Sequence, residues 1–298
     1  MGAASLIAID WGSSSFRAFL LDGSGNVIDR ISSNDGILQS NPKPFDQTLN
    51  KMCGPWQEQH GVIPVIMSGM IGSRNGWIET EYLSCPASII DLKNALIPVP
   101  NHASTIHIVP GVRGENLFHE PDVMRGEEIQ AFGALSVLDI KDALICLPGT
   151  HSKWCVIKNH QIHSLTTFMT GELFALTRTN SSIGPLVTGE AFDHSSFITG
   201  IKASRSDASL LNKLFSIRAR TLLDEPQCTC MASYLSGIFI GTEIKAVVDT
   251  LENIETVILV GNDSLIHRYA SALEMEKIHT VQVTGEHAFL HGIAQLTI

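Results

Sequence analysis

Asp10-Trp11-Gly12-Ser13-Ser14-Ser15 sets a carboxylate beside a glycine and three hydroxyls within fifteen residues of the N-terminus. A glycine in a tight turn lets backbone N–H groups approach an anion closely, and serine hydroxyls add further donors. An aspartate that ends the preceding strand can hold Mg²⁺ directly or through water. Together these groups suit the terminal phosphates of a nucleotide. A polar turn with a merely solvated aspartate has the same local appearance. The stretch Leu147-Pro148-Gly149-Thr150-His151-Ser152-Lys153-Trp154 repeats the arrangement, with Gly149, Thr150, His151 and Ser152 as candidate phosphate contacts. Lys153 could neutralise phosphate charge or point outward along its strand. A third segment, Val257 to Leu273, ends a strand at Gly261-Asn262 and opens a helix at about Asp263. A strand-end glycine allows a flat base to lie against the backbone, although an ordinary strand–helix turn capped by Asp263 reads the same way. No G-x-x-x-x-G-K-[ST] loop is present, and no G-x-G-x-x-G fingerprint follows a strand.

These turns need elements to position them. Leu6–Trp11, Phe16–Leu21 and Val27–Ile31 read as three strands of a meander, with DGSGN as a strong turn signal. A helix is expected over Phe45–Gln59, weakened by Gly54 and Pro55, then a strand over Ile63–Ser68 and a helix over Glu127–Leu138. From Ala143 the layout begins again, with three strands joined by PGTHS and KNHQ turns. Helices follow over Thr170–Thr179, Asp207–Leu223 and Cys230–Leu251, then strand VILVGN, helix Ser264–Leu273, strand HTVQVT and a last helix from about Glu286 to Leu296. A duplicated α/β architecture around a central cleft is expected, with a domain boundary at 139/140 and the 286–298 helix packing back on the first half.

Composition narrows the function classes. The chain has 298 residues, 44% hydrophobic and 17% charged, so a sizeable core is expected. A net charge of −10 without a Lys/Arg run argues against nucleic-acid and membrane-surface partners. No apolar stretch is expected to approach the roughly 18 residues of a membrane span. The six scattered cysteines read as reduced core thiols, which with the absence of a basic leader suggests a cytoplasmic protein. The lone C-x-C at Cys228–Cys230 and the His287/His291 helix pair lack the further ligands a zinc site needs. The apolar helix Cys230–Val248 could be core or the interface of a homo-oligomer.

Two phosphate turns and a late strand–Gly–helix segment, in this order, resemble the sugar kinase, actin and chaperone ATPase superfamily. Within it, IAIDWGSSSFRAFLLD, SGMIGSRNGW at 68–77, DVMRGEEIQAFGAL at 122–135, LPGTHSKW at 147–154 and FMTGELFALTR at 168–178 resemble the 2-dehydro-3-deoxygalactonokinase family over nearly the whole chain. The resemblance implies an α/β fold of two ribonuclease H-like domains, residues 1–139 and 140–285, each a mixed sheet flanked by helices. It implies transfer of a phosphoryl group from ATP, with Mg²⁺, to the 6-hydroxyl of 2-dehydro-3-deoxy-D-galactonate. The gluconate epimer is an alternative acceptor, and a non-catalytic nucleotide-dependent sensor or scaffold is the alternative outside catalysis.

Asp10 is then the metal and catalytic candidate. Many related kinases open the helix at the end of the first half with an aspartate, and here the segment reads Arg125-Gly126-Glu127-Glu128. Glu127, ahead of Glu128, is the expected general base. The acceptor carboxylate calls for a guanidinium fork. Arg74 in its Gly-rich loop is the first candidate, with Asn75 and Trp77 beside it and Arg17 and Arg125 in competition. Asn262 stands where a second glycine is expected for this family, and it bears on the nucleotide pocket.

Overall fold

Three strands, β1 (Ala4–Trp11), β2 (Phe16–Asp22) and β3 (Val27–Ser33), open the fold as an antiparallel meander. The structure is a computed structural model that describes residues 2–40, 44–102, 104–223 and 228–297. The chain continues through α1 (Ile37–Ser40), α2 (Phe45–His60) and β4 (Val65–Ser68). β1 is central, antiparallel to β2 and parallel to β4. Its Leu6–Ile9 run is therefore buried on both faces and reads as continuous rather than alternating apolar sequence. α2 forms through Gly54 and Pro55 because Leu49, Cys53 and Trp56 recur on one face and bury together.

Short elements follow that the sequence does not announce: β5 (Leu83–Ser84), β6 (Ala87–Ser88), α3 (Ile89–Asn94), β7 (Ile97–Pro98), β8 (Ile106–Ile108), β9 (Val112–Glu115) and β10 (Pro121–Met124). At two to four residues, these strands are too short to show a period. The first sheet runs β3-β2-β1-β4-β8-β7, and a small sheet runs β10-β9-β5.

The remaining elements are α4 (Glu127–Leu138), β11 (Ala143–Leu147), β12 (Ser152–Lys158), β13 (Gln161–Phe168), α5 (Thr170–Asn180), α6 (His194–Ser204), α7 (Leu210–Leu222), α8 (Met231–Thr250), β14 (Thr256–Gly261), α9 (Asp263–Glu274), β15 (His279–Thr284) and α10 (Gly285–Ala294). The second large sheet has the order β15-β14-β11-β12-β13-β6. Two compact units result: Met1–Ala143 with Cys155–Leu165 and Val283–Ile298, and Leu144–Trp154 with Thr166–Gln282.

In the first unit α10 packs on α4. The contact needs bare backbone: a Cβ on Gly133 would lie 1.7 Å from the Ala288 carbonyl oxygen, and one on Gly292 would lie 2.1 Å from that of Ile129. In the second unit α8 corrects one expectation. An 18-residue window within its 20 residues reaches a mean hydropathy of 1.2, long and apolar enough to cross a membrane by length and composition, yet 72% of that window is buried inside the protein. Burial on nearly every side of α8, from Ala232 to Ile244, makes it a core helix.

Candidate active site

In the first unit Asp10 is the register partner of Arg17 on β2 and of Ser68 on β4. Partners in register share a face, so a guanidinium, a carboxylate and a hydroxyl line up across three strand ends. Arg17 donates from a terminal guanidinium nitrogen to Asp10 Oδ2. Trp11, fully buried edge-on to Phe16 at 4.8 Å, anchors the end of β1 and donates Nε1–H to the Asp35 carbonyl at 3.0 Å. The turn closes with the Gly12 N–H on the Ser15 carbonyl at 2.9 Å. The Gly12 and Ser13 carbonyls in turn accept from the Ile37 and Leu38 N–H groups of α1, at 3.0 and 3.1 Å.

β4 runs out into Gly69, whose φ of +99° favours glycine. A Cβ there would stand 2.8 Å from the Trp11 carbonyl oxygen and 3.4 Å from Asp10 Oδ1. Gly126, the residue before α4, has φ +108°, and its Cβ would stand 3.0 Å from the Gly69 Cα. These two glycines bring the N-terminus of α4 against the strand end that carries Asp10. Glu127 and Glu128 open that helix. Glu128 is fully buried, and its Oε2 accepts the Gly126 N–H at 2.6 Å. Burial, with the negative charge of Glu127 beside it, pushes the Glu128 carboxyl up to about 8. Glu127 is only half-buried.

In the second unit the β11–β12 turn rests on the start of α5. A Cβ on Gly171 would lie 2.4 Å from the Gly149 carbonyl oxygen, and the Glu172 N–H donates to the Thr150 carbonyl at 2.9 Å. Gly261 lies beside the same turn, its Cβ position 3.6 Å from the Pro148 carbonyl oxygen. The two expected nucleotide segments of this half, at 149–153 and 261–262, are thus brought together, with the start of α5 beside them.

Residues 10–296 match the family described as 2-keto-3-deoxy-galactonokinase. The chain belongs to this family. It is 32% identical to a protein of Rhizobium meliloti named as a probable 2-dehydro-3-deoxygalactonokinase, over 96% of this chain and 94% of that one. It is 32% identical to the 2-dehydro-3-deoxygalactonokinase of Escherichia coli K12, over 98% and 97% of the two chains. A crystal structure of a Sinorhizobium meliloti protein assigned the same kinase name superposes with TM-score 0.91 at 30% identity, covering 98% and 97%. The fold is α/β, with mixed sheets flanked by helices.

For a galactonokinase-family site, several expected residues prove to be committed elsewhere. Arg125 is buried, with its terminal nitrogens donating to Thr80 Oγ1 and, at 2.9 Å, to the Thr80 carbonyl. Its guanidinium lies 4.3 Å from the Tyr82 ring centre, so it braces the Thr80 loop instead of presenting a free fork. Trp77 is half-buried: it packs against the first unit's apolar cluster and stacks on Phe45 at 6.4 Å. Ser152 is fully buried, and its hydroxyl donates inward to Glu243 at 2.6 Å. Lys153 is buried, with Nζ on Thr167 Oγ1 at 2.7 Å, so its ammonium does not stand open at the turn. The His151 ring pairs with Glu172 at 2.5 Å. Asn262, not Asp263, caps α9, accepting from the Ser264 N–H at 2.9 Å and hydroxyl at 2.8 Å. Arg74 and Asn75 are exposed, and Arg74 Nε lies 3.4 Å from Glu79.

The donor set fits Mg²⁺. Among the described residues no group of three or more His, Cys, Asp or Glu gathers to hold a metal. Mg²⁺ needs no such cage, because it keeps waters and takes one or two carboxylates plus substrate phosphates. Asp10 is the carboxylate, and the missing Cβ of Gly69 leaves room at its Oδ1. His287 and His291 meet edge to face at 4.5 Å as a helix-face pair. Sequence reading missed Gly69, Gly126, Glu172 and Glu243. A glycine closing the strand at SGM was a usable signal for Gly69; nothing local marks Glu243.

Proposed function

We propose that this protein phosphorylates 2-dehydro-3-deoxy-D-galactonate at its 6-hydroxyl with ATP, giving 2-dehydro-3-deoxy-6-phosphogalactonate for galactonate catabolism. The observation that carries the reading is the convergence of Asp10, Gly69 and the Glu127 end of α4, in a chain that matches the family over residues 10–296. The acceptor oxygen forms a bond to the γ-phosphorus, the bond to the bridging oxygen breaks, and ADP leaves. Glu127 takes the hydroxyl proton. Glu128 does not, because it already holds its proton at neutral pH. Asp10 would hold Mg²⁺, which neutralises charge on the phosphates when bound. Gly12, Ser13, Ser14 and Ser15 offer donors to phosphate oxygens, as do Gly149 and Thr150. Gly261 and Asn262 border the nucleoside. Arg74 and Asn75 take the acceptor carboxylate, and Arg17 orients Asp10. That none of the six cysteines forms a disulfide supports a reducing, cytoplasmic setting.

ADP release is measured with MgATP and 2-dehydro-3-deoxy-D-galactonate, beside the gluconate epimer and a blank without acceptor. Turnover confined to the galactonate acceptor is expected. Equal turnover with the epimer overturns the substrate assignment, and ADP at the same rate in the blank overturns the kinase reading. Asp10→Asn is expected to lower kcat about a hundredfold or more while leaving the melting temperature near that of the parent.

A further inference from the structure

The second unit contains a fully buried carboxylate that the reaction does not use. Glu243, in the middle of α8, accepts four side-chain hydrogen bonds. Its Oε1 takes the Ser152 hydroxyl at 2.6 Å and the Trp154 indole N–H at 2.7 Å. Its Oε2 takes the Tyr269 hydroxyl at 2.7 Å and the Thr170 hydroxyl. The four donors come from β12, α5 and α9. Ser152 directly follows the Gly149–His151 turn. Thr170 opens α5, whose next two residues lie against that turn through Gly171 and the Glu172 N–H. Tyr269 sits in the second turn of α9, the helix that Asn262 caps directly after Gly261, which lies beside Pro148. One side chain therefore ties together the three segments that border the turn.

We propose that Glu243 is a positioning residue for the nucleotide, fixing the Gly149–His151 turn, the start of α5 and the start of α9 in one geometry. This rests on the reading that this turn takes ATP phosphates. A carboxylate suits the task because each oxygen accepts two donors, so four hydroxyl and indole groups converge on one point. An amide in its place conserves volume but turns an NH₂ toward two hydroxyls that now donate, so both of these bonds must reverse and the geometry they fix changes. Glu243 touches no substrate in this scheme and acts only through the backbone it holds.

Steady-state kinetics with ATP and acceptor varied separately test this on Glu243→Gln, Tyr269→Phe and Gly171→Ala, with thermal melting as the folding control. Glu243→Gln is expected to lower kcat/KM for ATP about thirtyfold and to leave KM for the sugar acid, at saturating ATP, within about threefold. Tyr269→Phe removes one anchor of four and is expected to lower kcat/KM for ATP about threefold, which keeps the test alive if the amide variant fails to fold. Gly171→Ala drives a methyl into the Gly149 carbonyl and disturbs the turn without touching the carboxylate. Should Gly171→Ala impair ATP use while Glu243→Gln and Tyr269→Phe change only the melting temperature, the positioning role is overturned and the turn assignment stands. No effect of any of the three on ATP parameters overturns the turn assignment as well. Equal losses for ATP and acceptor in Glu243→Gln also overturn the proposal, because a purely structural residue gives that pattern.

Discussion

Among the described residues each unit buries one glutamate, Glu128 and Glu243, and the two are equipped in opposite ways. Glu243 receives four side-chain donors. Glu128 is met only by backbone N–H groups, those of Gly126 and of its own residue, and has Glu127 as its neighbour in sequence. Burial pushes both carboxyls up; at Glu243 four hydrogen bonds oppose it, whereas at Glu128 the charge of Glu127 adds to it and the value reaches about 8. Depth alone does not decide how a carboxyl behaves. The donors supplied to it do. Glu128, kept neutral, leaves its neighbour as the group at the α4 N-terminus with a charge to use. Glu243 serves as an acceptor on which the surrounding elements converge.

The comparison is sharpened most by removing the acceptor. Glu243→Leu strands four buried donors and is expected to lose about 4 kcal/mol of unfolding free energy in urea titrations. A loss no larger than that of an ordinary surface substitution would erase the distinction. Next comes the catalytic split within the pair on α4. Glu127→Gln should lower kcat about a hundredfold or more, and Glu128→Gln by no more than about fivefold; the reverse order would make Glu128 the base. Stability against pH gives the third contrast. The folded Glu128 holds its proton up to about 8, whereas an unfolded glutamate releases it near 4.5. The group therefore lowers stability as pH rises through that window, and Glu128→Gln should match the parent near pH 4 and exceed it by about 2 kcal/mol or more at pH 8.5. Parallel stability curves for the two proteins would refute the neutral assignment. The smallest effect is that of Tyr269→Phe, about 1 kcal/mol in the same urea titration.

The opening meander, the helix over Phe45–His60 and the α4 start were legible because each carries a local signal: an apolar run closed by a turn, a repeating face, or acids opening a helix. The place of Asp10 near the end of β1 was legible for the same reason. The strands β5 to β10 were not, since two to four residues carry no period. The PGTHS turn is expected to include Ser152, but β12 already begins there, so its side chain enters the protein. Lys153, expected to face phosphates or to point outward along its strand, is buried instead. The Glu243 cluster was beyond reach from sequence because its donors stand 26 to 91 residues away along the chain. Asn262 looked like a departure at a nucleotide contact, and its side chain turns out to cap a helix, a role its type permits at any strand–helix junction.

The packing of α10 on α4 has a consequence for how the protein is made. The helix that carries Glu127 is seated against α10 through bare backbone at Gly133 and Gly292, and the residues it meets, Ala288 and Gly292, lie beyond the whole of the second unit in the chain. A ribosome delivers those residues only after the second unit. Until they emerge, the buried face of α4, with Ile129, Phe132 and Leu135, has no cover from α10. Synthesis therefore passes through a long interval in which the first half is translated but cannot mature, and the nascent chain offers a sticky helix to chaperones throughout it.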